Sequence, residues 1–487
     1  MSIIKVENLT FAHLGSYDNV FENVTFAIDT DWKLGFVGRN GRGKTTFLNL
    51  LLGKYPYQGK IISSTQFDYF PFTVQDEGIL TIDVLEQICP TAQEWQYYRE
   101  FNNLDLDAAD VLYRPFETLS KGEQTKVLLA ALFLNDGRFL LIDEPTNHLD
   151  LQARQVVSRY LQGKKGFILV SHDRQFLDGC VDHILSLNRA NIEVQKGNFS
   201  SFMSNFENQQ KFELTQNERL QSEISHLRQA SKRTAGWADK IEKSKKGAGD
   251  SGFVGHRSAI MMQRAKAIEY RQQKAIERKS QLLKNIETTE PLKIHAVQYR
   301  AETLVRLENV TISYADKVVC SDVSFDIKRG DRVALSGKNG SGKSSIIKLI
   351  LQEISPNVGK LRVGSGLKIS YVSQDTSGLR GKLRDFAQSN GLDESLFLTI
   401  LRKLDFSREQ FDKHIKDFSA GQKKKVLIAK SLSEQAHLYI WDEPLNYVDI
   451  YSRMQIEQLL CEFKPTMLFV EHDGAFRDLI ATKVVEL

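Results

Sequence analysis

Cysteine is scarce in this 487-residue chain: Cys89, Cys180, Cys320 and Cys461 are scattered and form no Cys-x-x-Cys pair. That predicts a protein without structural disulfides or zinc, in a reducing cytoplasm. Long hydrophobic runs are missing as well. None approaches the roughly 18 residues of a membrane span. The first eight residues alternate apolar with polar, like a strand, and lack the apolar stretch of a signal peptide. Nor does one sign of charge dominate, with 65 Lys and Arg against 61 Asp and Glu. What remains is ordinary soluble composition, 41% hydrophobic and 26% charged, in a chain too long for one core. Two to four domains are expected.

One stretch organises the rest: Phe139-Leu-Leu-Ile-Asp-Glu-Pro-Thr-Asn-His-Leu-Asp150. Phe139 to Ile142 suits a strand buried on both faces. Asp143 and Glu144 stand where that strand ends, and Pro145 stops its continuation. Ligands of open α/β sheets bind outside the carboxyl ends of strands, so two acids there are placed for a metal and its ligand. The stretch recurs as His437-Leu-Tyr-Ile-Trp-Asp-Glu-Pro-Leu-Asn-Tyr-Val-Asp449, with Asp442 lying 299 residues after Asp143.

The same spacing recovers further pairs. Gly38-Arg-Asn-Gly-Arg-Gly-Lys-Thr45 follows a strand at Trp32 to Val37 and precedes a helical pattern at Phe47, Leu48, Leu51 and Leu52. Gly38, Gly41 and Gly43 let the backbone curl so that its N–H groups face a triphosphate, Lys44 neutralises phosphate, and the Thr45 hydroxyl suits Mg²⁺. Gly337-Lys-Asn-Gly-Ser-Gly-Lys-Ser344 repeats this loop 299 residues on. Leu119-Ser-Lys-Gly-Glu-Gln124 leads into an apolar helix from Thr125 to Leu134, and Ser419-Ala-Gly-Gln422 repeats it, again 299 residues later. Alone, Ser120 and Gly122 read better as a helix cap. Ser171-His172-Asp173 and Glu471-His472-Asp473, 300 residues apart, each follow a short strand, Gly166–Val170 and Met467–Val470. So constant a register means two homologous domains.

These motifs, in this order, resemble the nucleotide-binding domain of the ATP-binding-cassette (ABC) ATPases. The resemblance implies an α/β fold with two tandem domains, residues 1–198 and 301–487, that dock head to tail within one monomer. Each ATP site then joins one domain's phosphate loop to the other's signature loop, with ATP and Mg²⁺ as cofactors. One site would use Gly38, Asn40, Gly41, Gly43, Lys44, Thr45 and Thr46 with Ser419, Gly421 and Gln422. The other would use Gly337, Asn339, Gly340, Gly342, Lys343, Ser344 and Ser345 with Ser120, Gly122 and Glu123. Glu144 and Glu443 would be the bases that activate water, beside His172 and His472. Asp143 and Asp442, with Thr45, Ser344 and Gln374, would hold the metal. Phe11 and Tyr314 are placed where the family stacks adenine on an aromatic ring. Phe72 stands where the family carries a glutamine, so the first site is expected to lose one metal contact that Gln374 supplies in the second.

Between the domains, residues 199–300 carry the basic character: from Asn205 to Glu290 there are 17 Lys or Arg against 11 Asp or Glu. Helical spacing runs from Asn205 to Ile241 and from Ser258 to Ile286, around a Gly- and Lys-rich segment at 243–256. This reads as a helical hairpin whose basic tip bears Phe253 and Val254, with Lys243, Lys245 and Lys246 suited to RNA phosphates. Two ABC domains, no membrane span and a charged linker resemble the ABC-F group. The variant Asp442-Glu-Pro-Leu-Asn-Tyr-Val-Asp449, with Gly421-Gln-Lys-Lys-Lys-Val, resembles its subfamily protecting ribosomes from lincosamides, streptogramin A and pleuromutilins. That likeness implies binding at the exit (E) site of the bacterial 70S ribosome, with contacts to 23S rRNA and P-site tRNA. No membrane subunit and no DNA are expected as partners. A housekeeping ABC-F translation factor and, less favoured, a transporter's ATPase subunit are the rivals.

Overall fold

The computed structural model describes residues 2–13, 19–135, 137–147, 149–187, 192–244, 263, 266–268, 270–271, 274, 291–314 and 317–487. It divides into two compact units, one made of Met1–Phe202 with Thr289–Leu487 and the other of Met203–Thr288. The first unit contains the duplicated α/β architecture. Its N-terminal half opens with an antiparallel sheet in which β1 (Ile3–Phe11) lies between β2 (Phe21–Asp29) and β4 (Gln58–Ile62). A second sheet has the order β5 (Gln66–Phe70), β6 (Arg138–Asp143), β7 (Phe167–Val170), β3 (Lys33–Gly38), β8 (His183–Leu187) and β9 (Ile192–Lys196). All its pairs are parallel except β8 with β9.

The C-terminal half repeats the plan. In its antiparallel sheet, β10 (Thr303–Tyr314) lies between β11 (Lys317–Lys328) and β13 (Val358–Val363). Its parallel sheet runs β14 (Ile369–Val372), β15 (Leu438–Asp442), β16 (Met467–Val470), β12 (Arg332–Ser336) and β17 (Lys483–Glu486). The central apolar runs are strands because neighbouring strands and helices remove both of their faces from water. Phe139 to Ile142 and Leu438 to Trp441 are all buried. Each parallel sheet delivers its phosphate loop, paired acids and histidine to the carboxyl edge of its strands.

The helix expected at Thr125–Leu134 begins earlier, at Lys121, because Ser120 caps it. Ser120 Oγ accepts from the Glu123 N–H, while the Glu123 carboxylate accepts from the Ser120 N–H. Ser419 and Gln422 form the same reciprocal box on the helix Ala420–Ser433. Cap and signature loop are therefore the same residues, and the cap fixes the loop's orientation.

In the other unit, the helix Phe199–Ser244 extends beyond the expected Asn205–Ile241. Its 46 residues give a length of about 69 Å. Lys243 lies in its last turn; Lys245, Lys246, Phe253 and Val254 lie outside the described residues. Among the described residues, no helix is long and apolar enough to cross a membrane.

Candidate active sites

The phosphate loops are formed by strand, turn and helix, as their sequence requires. Gly43 and Gly342 precede the helices Lys44–Leu51 and Lys343–Ile350 with φ of 103° and 96°. A Cβ on Gly43 would also lie 2.5 Å from Val20 Cγ1, so only glycine fits. Lys44 Nζ donates to the Gly38 carbonyl at 2.7 Å, and Lys343 Nζ to the Gly337 carbonyl at 2.8 Å. Each ammonium thus lies folded over its own loop. Burial lowers the pKa of both lysines, opposed most strongly by Asp449 for Lys44 and by Glu443, then Asp150, for Lys343. Asp449 and Asp150 come from the opposite domain in each case.

The domains meet crosswise. One cleft of about 680 Å³ is lined by Lys343, Ser344, Ser345, Asn339, Gln374, Glu443 and His472 from the second domain. Ser120, Lys121, Gly122, Glu123 and Asp150 of the first domain form its other wall. At the other site, Asn40 Nδ2 donates to the Tyr447 carbonyl at 2.7 Å. A Cβ on Gly421 would lie 2.2 Å from that same carbonyl oxygen and 2.8 Å from Asn40 Nδ2. The second signature loop is therefore pressed against the first phosphate loop. Arg39 and Arg42 reach Asp405 across the same boundary, at 3.6 and 3.8 Å. Arg154, on the helix Leu151–Gln162, donates to the His472 carbonyl at 3.2 Å.

Both glutamates sit just past a strand end with φ of 52° and 48°. A side-chain-bearing residue in this left-handed region costs about 1–2 kcal/mol. Keeping that strain in both copies points to function, because it aims the carboxylate into the site. Their surroundings differ. Glu443 accepts from Gln374 Nε2 at 2.8 Å and Asn446 Nδ2 at 2.6 Å, and lies 3.3 Å from His472 Nε2. Burial opposes its ionisation, but the donors from His472 and Gln374 outweigh it and hold its pKa below the ordinary value. Glu144 Oε1 lies 3.3 Å from His172 Nε2. It has no hydrogen-bond partner among the described residues and is buried. Burial, with the neighbouring Asp143 charge, pushes Glu144 up to about 8. Burial likewise lowers His172 well below its usual value.

The hydroxyl and carboxylate oxygens of Thr45, Asp143, Ser344 and Asp442 are of the kind a hard cation takes. Asp442 Oδ1 is buried without a hydrogen-bond partner among the described residues, leaving a lone pair available. In the first site Thr45 Oγ1 donates to Asp143 Oδ2 at 3.1 Å.

One sequence expectation is corrected. Phe11 and Tyr314 do not hold equivalent places. Within β1 and β10 the left-handed residues Asn8 and Asn309 correspond, which pairs Phe11 with Ile312 and His13 with Tyr314. Phe11 is only 6% exposed and belongs to the core, whereas Tyr314 is 47% exposed. His13 Nε2 lies 3.4 Å from Thr46 Oγ1, matching Tyr314 Oη at 3.3 Å from Ser345 Oγ. His13 is the residue that sequence reasoning missed. Aligning Glu-Asn-Leu-Thr-Phe-Ala-His13 with Glu-Asn-Val-Thr-Ile-Ser-Tyr314 would have found it.

Phosphate loop, paired acids, capped signature helix and trailing histidine, present twice and facing crosswise, define a tandem ATPase. The ABC transporter family profile matches residues 21–147 and 320–446, and the chain belongs to that family as an ABC-type ATPase. Relatives align over nearly the whole chain. The putative ATP-binding protein YdiF of Bacillus subtilis is 28% identical, covering 100% of this chain and 80% of its own. The ribosome protection protein VmlR of the same organism is also 28% identical, covering 94% and 82%. Among solved structures, the archaeal ribosome recycling factor aABCE1, bound to the stalk protein aP1, matches with a TM-score of 0.63 at 19% identity. That match covers 96% of this chain and 84% of the other, and it establishes likeness of fold. These findings support the resemblance to the ABC-F group.

Proposed function

We propose that this protein is an ABC-F ATPase that binds the E site of the bacterial ribosome in the cytoplasm. There it protects the peptidyl-transferase centre from lincosamides, streptogramin A and pleuromutilins, displacing drug through the linker tip, with ATP hydrolysis driving release. The observation that carries this reading is the alignment with a ribosome protection protein along 94% of the chain. The helix Phe199–Ser244, about 69 Å long, supplies the reach such a mechanism requires. Equal identity to an ATP-binding protein without a stated role keeps a housekeeping ABC-F translation factor as the second reading.

At each site the phosphate loop and the opposite signature loop hold the triphosphate between them. Mg²⁺ would be held by Thr45 and Asp143 or by Ser344, Asp442 and Gln374, and would supply charge neutralisation at the phosphates. Glu144 and Glu443 accept the proton of the attacking water, and His172 and His472 fix the carboxylates' orientation. The test compares growth of a drug-sensitive strain carrying the full chain or a deletion of residues 247–255, alongside ribosome co-sedimentation. Loss of resistance with retained ATP-dependent ribosome binding is expected, and Phe253→Ala should be milder. Full resistance after the deletion excludes protection through the tip, and no resistance from the intact chain favours the housekeeping role.

A further inference from the structure

The two sites treat their metal-binding aspartates differently, through a residue that neither the motifs nor the relatives assign. Strand register fixes the correspondence. Phe67 pairs with Phe139 and Ile369 with Leu438, and Phe139 and Leu438 are equivalent positions of the duplicated stretch. Tyr69 therefore matches Tyr371, and Phe72 matches Gln374. In the second domain Gln374 donates to Glu443, and Tyr371 makes no hydrogen bond to Asp442 among the described residues. In the first domain the glutamine is absent, and the tyrosine has turned to the metal-binding acid instead. Tyr69 Oη donates to Asp143 Oδ2 at 3.0 Å, the same oxygen that accepts from Thr45 Oγ1 at 3.1 Å. Lys54 Nζ lies 5.4 Å from the centre of the Tyr69 ring, which restrains it from the side.

We propose that Tyr69 is a positioning residue for the Mg²⁺-binding carboxylate of the first ATP site, compensating for the glutamine that Phe72 replaces. Two donors on Oδ2 fix the Asp143 carboxylate plane, so that Oδ1 would be the oxygen offered to a cation. A neutral phenol is well suited here, because it donates one strong hydrogen bond and brings no charge to repel the cation. The inference rests on reading these clefts as ATP sites.

The experiment uses the full chain with Glu144→Gln and Glu443→Gln, so that bound ATP persists, and counts bound Mn²⁺ by electron paramagnetic resonance during titration. Tyr69→Phe is expected to weaken one of the two Mn²⁺ ions by about tenfold, the loss of one hydrogen bond to a charged acceptor. Tyr371→Phe is expected to weaken neither. Binding of a fluorescent ATP analogue in EDTA, and the thermal midpoint, should stay at parental values for Tyr69→Phe. Unchanged Mn²⁺ affinity in Tyr69→Phe overturns the proposal, as does an equal loss in Tyr371→Phe. A loss accompanied by weaker metal-free nucleotide binding or a lower midpoint assigns Tyr69 a structural role and overturns it too. If the parent itself binds neither nucleotide nor Mn²⁺, it is the ATPase reading that fails.

Discussion

The two ATP sites share a backbone and differ in the groups that donate to it. In both, a strand ends on a strained glutamate, a lysine folds over a glycine loop, and a histidine approaches the carboxylate at 3.3 Å. Around Glu443, however, Gln374 and Asn446 supply two close donors to Oε2, while Glu144 is approached by His172, through its ring at 3.3 Å and its backbone N–H. Asn147, the counterpart of Asn446, lines the cleft of the second site instead. Duplication kept the backbone, because moving a buried strand or loop disrupts a whole core. The donors around each carboxylate were free to diverge, since one side chain changes charge and proton affinity without changing the fold. Chemistry is thus set by the neighbours just outside each motif.

The largest expected effect tests what the sites share. Changing both Glu144 and Glu443 to Gln should leave ATP binding intact and reduce hydrolysis by about 10²–10⁴-fold, measured as phosphate release. Made singly, Glu443→Gln should cost more than Glu144→Gln, because Glu443 is the carboxylate held ionised. Equal losses would break the comparison. A smaller effect tests the crosswise walls. Gly122→Asp should weaken nucleotide binding at the Lys343 site by at least about tenfold through like-charge contact with phosphate, and Gly421→Asp at the Lys44 site through that contact together with collision of its Cβ with the Tyr447 carbonyl. Mapping which phosphate loop an azido-ATP photolabel still modifies reads this directly. Labelling lost within the mutated domain itself would contradict the geometry.

The smallest effect concerns pH. A general base works deprotonated, so a carboxyl raised to about 8 is mostly protonated at neutral pH and gains activity as pH rises. The Glu443→Gln variant, relying on Glu144, should therefore speed up severalfold between about pH 7 and 9. The Glu144→Gln variant should be flat there, since Glu443 is already ionised. Identical profiles would remove the difference between the two environments.

Much of this was legible in the sequence. The phosphate loops, paired acids, signature loops and histidines carry local patterns with physical causes, and a constant spacing showed them twice. Even the departure at Phe72 was visible. Less legible were contacts that depend on register and bulges. His13 was missed because Phe11 looked suitable by type alone, although the matching Glu-Asn-x-Thr stretches already pair His13 with Tyr314. Tyr69 was invisible because a tyrosine at a strand end is an ordinary core residue. Only its 3.0 Å approach to Asp143 gives it meaning.

The cleft with one wall from each domain has a thermodynamic consequence. A ligand that touches both walls binds the closed arrangement and not the separated one, so its binding free energy becomes adhesion between the domains. By reciprocity, anything that holds the domains together raises nucleotide affinity by the same factor. Arg154, reaching from the first domain to the His472 carbonyl, lies in this linkage at 3.2 Å. ATP concentration and anything that docks across both domains are then two handles on one equilibrium.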